Sequence, residues 1–140
     1  MTPDELKSRT KKFAIDIIKL AQKLPENRIG WIIENQLVKA ATSVGANYRA
    51  TCRARSLADF TSKITIVEEE SDETVYWLEI IMEVELIPNK EVENLLKEGK
   101  ELTAIFTSAG RTAKLNKLKG DKKQNEETDI NSQFKIRNSK

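Results

Sequence analysis

The chain contains no histidine and only one cysteine, Cys52, among its 140 residues. Without histidine, the sequence lacks the commonest general base and the commonest metal ligand of proteins. A single thiol cannot close a disulfide within the chain, which is typical of proteins from a reducing compartment. These two scarcities favour a protein that is not an enzyme, and we expect it to need no cofactor.

Long apolar runs are also missing, as is the pattern of a secretory leader. No stretch of about 18 consecutive apolar residues exists, so we expect no membrane-spanning segment. The chain opens on Thr2-Pro3-Asp4-Glu5, which is a helix-start signal rather than a basic region followed by an apolar stretch. We therefore expect a cytoplasmic protein.

Helical periodicity is what the sequence has in abundance. Apolar residues recur at steps of three and four in four stretches, which short polar or proline-containing connections separate. Because short connections make sequential helices antiparallel neighbours, the predicted fold is all-α, an antiparallel up-down-up-down four-helix bundle. The four apolar stripes are Leu6, Phe13, Ile17, Leu20 and Leu24; Ile33, Leu37, Ala40, Val44, Tyr48 and Thr51; Leu57, Phe60, Ile64, Val67, Ser71, Val75, Leu78 and Met82; and Val92, Leu95, Gly99, Leu102, Phe106, Ala109 and Ala113.

The boundaries of these elements follow from capping residues, prolines and glycines. The second helix is predicted over residues 30–55 and the third over residues 57–87, where Pro88 stops it. The fourth is predicted to end around residues 118–120. Residues 1–120 thus form the predicted bundle, whereas the polar composition of residues 121–140 predicts a disordered tail.

Charge is distributed unevenly along the chain, although the net charge is only +2. In the predicted topology, the start of the first helix, the turn between the second and third, and the end of the fourth lie together. Twelve basic and three acidic residues fall at this end, a formal charge of +9, whereas five acids lie within residues 68–73. The candidate nucleic-acid-binding residues at the basic end are Arg49, Arg53, Arg55, Lys63, Lys7, Lys11, Arg111 and Lys114.

Two interpretations of this basic end stay open. Solvated or paired surface charges would each contribute only about a few tenths of a kcal/mol to stability. Alternatively, the concentrated positive charge would bind a polyanion through phosphate contacts that depend strongly on salt. Since aromatic residues that could stack on bases are scarce there, such binding would depend on shape and backbone rather than on base sequence.

Two other features resemble chemical sites without meeting their requirements. The five acids at 68–73 lie on one helix, whereas a di-iron bundle needs carboxylates from several helices together with histidine. Cys52 lies among arginines that could make its thiol reactive, but no base accompanies it, and a small packing residue explains it more simply. We therefore predict no metal site and no catalytic residue.

Trp31, Gly45 and Trp77 are candidates for contacts with another subunit. Glycine inside a helix costs about 1 kcal/mol relative to alanine, so we expect Gly45 to let another backbone approach closely. That neighbour would belong either to the same bundle or to another subunit. Trp77 lies beside the stripe of the third helix, where it either widens the core or meets a partner subunit.

Three segments together resemble a bacterial protein family. They read KFAIDIIKLAQKLP, NQLVKAATSVGANYRATCRARSLADFTSKI and IVEEESDETVYWLE, and they occur in this order within residues 11–118. They are similar to the four-helix bundle proteins encoded in intervening sequences of bacterial 23S ribosomal RNA genes, also known as the S23 ribosomal protein family. The resemblance does not extend into residues 121–140.

The resemblance implies a bundle that assembles into a toroidal homopentamer, with Arg49, Arg53 and Arg55 as candidates for a positive pore or rim. A related branch, the accessory proteins of diversity-generating retroelements, comprises basic pentamers that bind a reverse transcriptase and its RNA. Together with the charge pattern, this favours a non-enzymatic, oligomeric protein that binds structured RNA through its basic end. The alternatives are a protein-interaction scaffold and a selfish-element passenger, both without nucleic-acid binding.

Overall fold

Four helices account for most of the computed structural model, which describes residues 1–138 and the side-chain surroundings as far as Phe134. They are α1 (Pro3–Ala21), α2 (Arg28–Thr51), α3 (Leu57–Val84) and α4 (Asn89–Asn138). The described chain contains no strand, which confirms the predicted all-α class. None of the four helices is both long enough and apolar enough to cross a membrane.

The first three helices each begin at a side chain that caps their free backbone amides. The Thr2 hydroxyl accepts from the Glu5 amide at 3.1 Å, and the Glu5 carboxylate accepts from the Thr2 amide at 2.9 Å. Asn27 and Ser56 cap α2 and α3 in the same way, each accepting from the amide three residues later. Each such cap stabilises its helix by about 1 kcal/mol.

The end of α2 differs from the sequence-based prediction. The helix ends at Thr51, four residues before the expected end at 55, and Cys52 is its C-cap. Ser56 is the N-cap of α3, and its backbone is extended, with φ −158° and ψ 168°. A residue in this conformation cannot continue α2. The chain must therefore leave α2 several residues before Ser56.

The end of α3 also comes earlier than predicted, at Val84 instead of 87. Glu85 adopts the left-handed conformation, with φ 59°, which turns the chain away from the helix axis. The amides of Glu85 and Leu86 then bond back to carbonyls of the last turn. This is the usual way in which a helix ends, and it precedes the break that Pro88 was expected to cause.

The fourth helix is longer than predicted. It continues to Asn138, past the expected end at 118–120, so that the segment expected to be disordered is helical in the structure. Its last buried residue is Ala113, and every residue from 114 to 134 is exposed. A helix without packing partners is only marginally stable in water. The boundary at residue 120 stays a prediction, and residues 139–140 of the predicted tail lie outside the described residues.

The core is built from the predicted stripes. α1 packs against α2 and α4, and α3 packs against the same two helices. The rings of Tyr48 and Phe106 lie 5.5 Å apart near one end of the core. Leu57 is the exception among the stripe residues, because it begins α3 and remains 42% exposed. The largest fully buried side chains include Phe13, Ile17, Leu37, Ile64, Leu78, Leu102 and Phe106.

A polar contact lies inside the interface between α3 and α4. The hydroxyls of Ser71 and Thr103 are 2.8 Å apart, and Thr103 donates to the carbonyl of Gly99, also at 2.8 Å. Ser71 is fully buried. In the part of the chain that the structure describes, no buried side-chain nitrogen or oxygen lacks a partner. The pair therefore carries no penalty for unmade hydrogen bonds.

Candidate nucleic-acid interface

The start of α1, the end of α2, the start of α3 and the middle of α4 meet around one open cavity. Its volume is about 770 Å³, and its apolar wall includes Leu6, Tyr48, Phe60, Ile64 and Phe106. We call this part of the molecule, with the connection at residues 52–56, the hairpin end. The four elements that meet here are those to which the sequence assigns most of the basic residues.

Three of the predicted basic residues surround a hollow beside this cavity. Arg53, Arg55 and Lys63 line a depression of about 470 Å³ together with Asp59. Lys63 Nζ lies 2.9 Å from Asp59 Oδ2, which also accepts from the Arg55 amide at 3.1 Å. These hydrogen bonds lower the pKa of Asp59, that from Lys63 most. Arg53 and Arg55 form no ion pair with residues in the described chain.

A second group of predicted cations lies between α1 and α2. Lys7, Lys11 and Arg49 line a hollow of about 160 Å³. Lys7 Nζ is 3.8 Å from a carboxylate oxygen of Asp4, whose side chain is 95% exposed, so this pair is weak. Lys11 and Arg49 are exposed and form no ion pair within residues 1–134. Six of the eight predicted cations are thus distributed over two neighbouring hollows.

Arg111 and Lys114 are placed elsewhere. They line a separate hollow of about 300 Å³ between α3 and α4, together with Glu68 and Thr107. Glu68 accepts a hydrogen bond from the Thr107 hydroxyl at 3.1 Å, so that a carboxylate is fixed beside the two cations. The structure does not bring Arg111 and Lys114 into either of the two basic hollows.

Arg9, which contributes to the predicted charge of +9, is engaged in an ion pair between α1 and α4. Its Nε donates to Glu98 Oε2 at 2.9 Å, and its Nη2 lies 2.7 Å from Glu101 Oε2. The hydrogen bond from Arg9 lowers the pKa of Glu98, and the bond to Glu98 raises the pKa of Arg9. This pairing cannot be read from the sequence because the partners lie 89 and 92 positions away from Arg9. The formal charge of +9 therefore overstates the positive charge that a ligand would encounter at the hairpin end.

Replacing Glu98 with glutamine is expected to reduce the dependence of stability on pH. Because Arg9 lowers the pKa of folded Glu98, the ion pair stabilises the protein fully above the unfolded pKa of about 4.3 and is lost as pH falls through the lower folded value. We expect the free energy of unfolding of the wild type to exceed that of Glu98→Gln by about 1 kcal/mol at pH 7. This difference is expected to vanish near pH 2. Urea denaturation at a series of pH values measures it. Glu93→Gln, an exposed site on the same helix, is the control, and a pH-independent difference for Glu98→Gln would contradict the assignment.

The two tryptophans predicted at a subunit interface differ in exposure. Trp31 is 60% exposed and lies next in sequence to Ile32, which is 51% exposed, while nearby Ile29 is 55% exposed. Trp77 is partly buried against the core, and its ring meets that of Tyr76 edge-on at 5.1 Å between centroids. Trp31 thus belongs to exposed apolar surface, whereas Trp77 already has packing partners within one chain.

Gly45 is buried between α1 and α2. A Cβ atom at this position would lie 3.4 Å from the Thr10 hydroxyl and 3.5 Å from the Thr10 backbone. The neighbour of Gly45 in the described chain is therefore α1, and an added Cβ would make ordinary contacts there rather than a clash.

Cys52 is exposed, so the packing role suggested by the sequence is wrong. It follows the last turn of α2, where its amide bonds to the carbonyl of Tyr48 at 3.0 Å. Tyr48 itself is buried, and burial raises the pKa of its hydroxyl.

Within the described residues, no three acidic or thiol side chains lie together in a way that could hold a metal ion.

Comparison with known proteins gives the chain a family. The 23S rRNA-intervening sequence protein family matches residues 5–108. The crystal structure of a protein of unknown function from the S23 ribosomal protein family of Bacteroides thetaiotaomicron is similar, with a TM-score of 0.69 and 31% identity, over 74% of this chain and 96% of that one. No curated protein matches the chain. Both matches confirm the resemblance read from the three segments, and the chain belongs to the 23S rRNA-intervening sequence protein family.

Proposed function

We propose that the protein is a non-enzymatic, oligomeric bundle that binds structured RNA through its hairpin end. The observation that carries the proposal is a set of four cations that form no ion pair in the described chain. Arg53 and Arg55 lie in one hollow, and Lys11 and Arg49 lie in the next. Guanidinium groups bind phosphate oxygens well because they present several donors in a fixed plane. Membership of a family that is called after an rRNA intervening sequence supports RNA as the polyanion.

The proposed topology of the bundle is up-down-up-down. Two ion pairs with α4 support it, because Arg9 of α1 meets Glu98, whereas Lys23, in the turn after α1, meets Glu91, further back on α4. Hydrogen bonds between α3 and α4 show the same reversal of residue numbers. In this arrangement the basic residues of α1, α2 and α3 at the hairpin end face the same partner.

The proposed assembly is a homo-oligomer, and the family resemblance implies a pentamer. The exposed apolar side chains of Ile29, Trp31 and Ile32 supply a surface that a second copy would cover. Several hairpin ends in one ring would contact one RNA together, which raises the effective affinity without any new contact within each subunit. Sedimentation of the purified protein measures the number of subunits.

The proposed mode of recognition relies on RNA shape and backbone. Tyr48 is buried and Phe60 is half-buried at the hairpin end, so that neither ring is available as a stacking platform for bases. The partner is therefore a folded RNA, either free or in a complex with a reverse transcriptase, rather than an unpaired sequence motif.

The affinity for a structured RNA is expected to fall about 1,000-fold between 50 and 200 mM salt if six phosphates are contacted. The four cations that form no ion pair, together with Lys7 and Lys63, provide six such contacts. Fluorescence anisotropy with a labelled intervening-sequence RNA measures the binding at each salt concentration. An affinity that does not change with salt would contradict the proposal, and a protein that co-purifies instead of RNA would favour the scaffold interpretation.

A further inference from the structure

The cavity at the hairpin end presents apolar surface that nothing in the described chain covers. Leu57, which is 42% exposed, and the half-buried Phe60 and Ala109 supply this surface, whereas Ile64 and Phe106 form the fully buried back of the wall. Its volume of about 770 Å³ is within the range of cavities that hold a ligand or a docked side chain. Apolar surface of this kind commonly marks a place where another segment or molecule binds.

A matching pair of apolar side chains lies far along α4. Ile130 and Phe134 are each 64% exposed, and their spacing of four residues places them on one face of the helix. All residues from 114 to 134 are exposed, so this face is unpartnered within the described chain. The residues around the pair are polar, and the pair stands out as the apolar part of residues 121–134, which we call the docking segment.

The position of Gly120 relates the pair to the cavity. An added Cβ there would meet nothing within 4 Å, and glycine is the residue at which an unsupported helix opens most easily. Ile130 and Gly110 are equally far from Gly120 in sequence, on opposite sides of it. Phe134 and Phe106 are likewise equally far from Gly120. A reversal of the chain at Gly120 would therefore bring Phe134 back over about 21 Å to the level of Phe106, at the cavity.

Charges along the two halves are complementary in the same arrangement. Lys123 and Lys117 would form one pair of like sign. The reversal places three acids of the docking segment level with three bases of α4, namely Asp121 with Lys119, Glu126 with Lys114 and Asp129 with Arg111. Although each exposed pair contributes little, opposite charges outnumber like charges in this arrangement, so that the two halves attract each other.

We propose that the docking segment folds back at Gly120 and places Ile130 and Phe134 over the open apolar cavity of its own chain. The straight helix and the folded-back form are two arrangements of the same residues, and the second buries apolar surface that the first leaves in water. The docked segment would also lie beside Arg111 and Lys114 and supply them with carboxylates. The observations behind this proposal do not involve RNA, although Lys7 and Arg55, which also line the cavity, belong to the proposed RNA-binding surface.

Disulfide trapping with the native Cys52 tests the proposal. Cys52 is exposed and lines the cavity, so that a cysteine introduced by Gln133→Cys would meet it only in the folded-back form. Gln124→Cys is the matched control on the same segment. In the straight helix, position 124 lies about 22 Å and position 133 about 36 Å along the axis from Ala109, so 124 would react faster. Docking predicts the reverse order under a mild oxidant, with Gln133→Cys at least ten-fold faster and the product a crosslink within one chain.

Two further variants separate docking from chance collisions. Adding Ile130→Asp and Phe134→Asp to the Gln133→Cys protein is expected to abolish the fast crosslink, whereas adding Ile15→Asp, at an exposed isoleucine of α1, leaves it unchanged. Non-reducing gels distinguish a chain closed on itself from two chains joined. Faster reaction at 124, a crosslink between two chains, or insensitivity to the double substitution would each overturn the proposal.

Discussion

Replacing Arg49, Arg53 and Arg55 together with glutamate is expected to weaken the binding of structured RNA by about 100-fold or more at 0.15 M salt. Each phosphate contact contributes about 0.9 to the slope of log affinity against log salt, so three lost contacts also reduce that slope by about 3. The new carboxylates repel phosphate and increase the loss. Anisotropy titrations at several salt concentrations give both quantities from one series.

The control for this variant carries the same change of net charge at other positions. Lys19, Arg28 and Lys90 are exposed and lie near the end of α1, the start of α2 and the start of α4, away from the hairpin end. Their replacement with glutamate is expected to reduce affinity by less than about 10-fold, since only long-range attraction is lost. Equal losses in the two variants would mean that net charge, and not the hairpin end, determines binding.

The second large effect is expected for Gly30→Ala, which should lower the free energy of unfolding by about 3 kcal/mol. A Cβ at Gly30 would lie 1.8 Å from the carbonyl oxygen of Pro25 and 2.9 Å from the carbonyl carbon of the same residue. Both atoms belong to the backbone, so no rotamer change relieves the clash, and the connection between α1 and α2 must move. That movement also disturbs Asn27, whose side chain caps α2 through the Gly30 amide. Urea denaturation followed by circular dichroism measures the loss.

Gly45→Ala is the matched control, because Gly45 is another buried glycine within α2. The nearest atoms to its added Cβ lie at 3.4–3.5 Å, which is ordinary contact. Since alanine is better than glycine in a helix by about 1 kcal/mol, this variant is expected to be as stable as the wild type or more stable by up to that amount. A similar loss at both glycines would show that the contact with Pro25 is not the cause.

The sequence predicted the helices and most of the core because both depend on local periodicity. Steps of three and four residues identified Phe13, Leu37, Leu78 and Phe106 as core residues, and all are fully buried. Leu57 fits the same periodicity but is exposed, since it begins α3 where the neighbouring helices leave a cavity. Periodicity gives the face of a helix that points inwards, whereas the extent of coverage at the ends depends on all four helices together.

The candidate site was predicted less completely, because charge counts do not contain pairing. The bond between Lys63 and Asp59 is local, at a spacing of four residues, and such a pair can be read from sequence. The bond between Arg9 and Glu98 joins two helices far apart in the chain and depends on how each is rotated about its axis. The rotation of α4 about its axis likewise places Arg111 beside Glu68 of α3 instead of at the two basic hollows.

The hydroxyl pair of Ser71 and Thr103 limits how α3 and α4 can be aligned. Both helices repeat their apolar residues at nearly regular intervals, so sliding one helix past the other by seven residues would re-form many apolar contacts. Such a slip would separate the two hydroxyls and set Ser71 opposite Leu96 or Gly110, neither of which has a side-chain hydrogen-bonding group. A buried group without its partner costs about 1–3 kcal/mol. A purely apolar interface would allow several alignments of similar energy, whereas the hydroxyl pair favours one alignment of α3 and α4. That alignment also determines the shape of the hollows at the hairpin end.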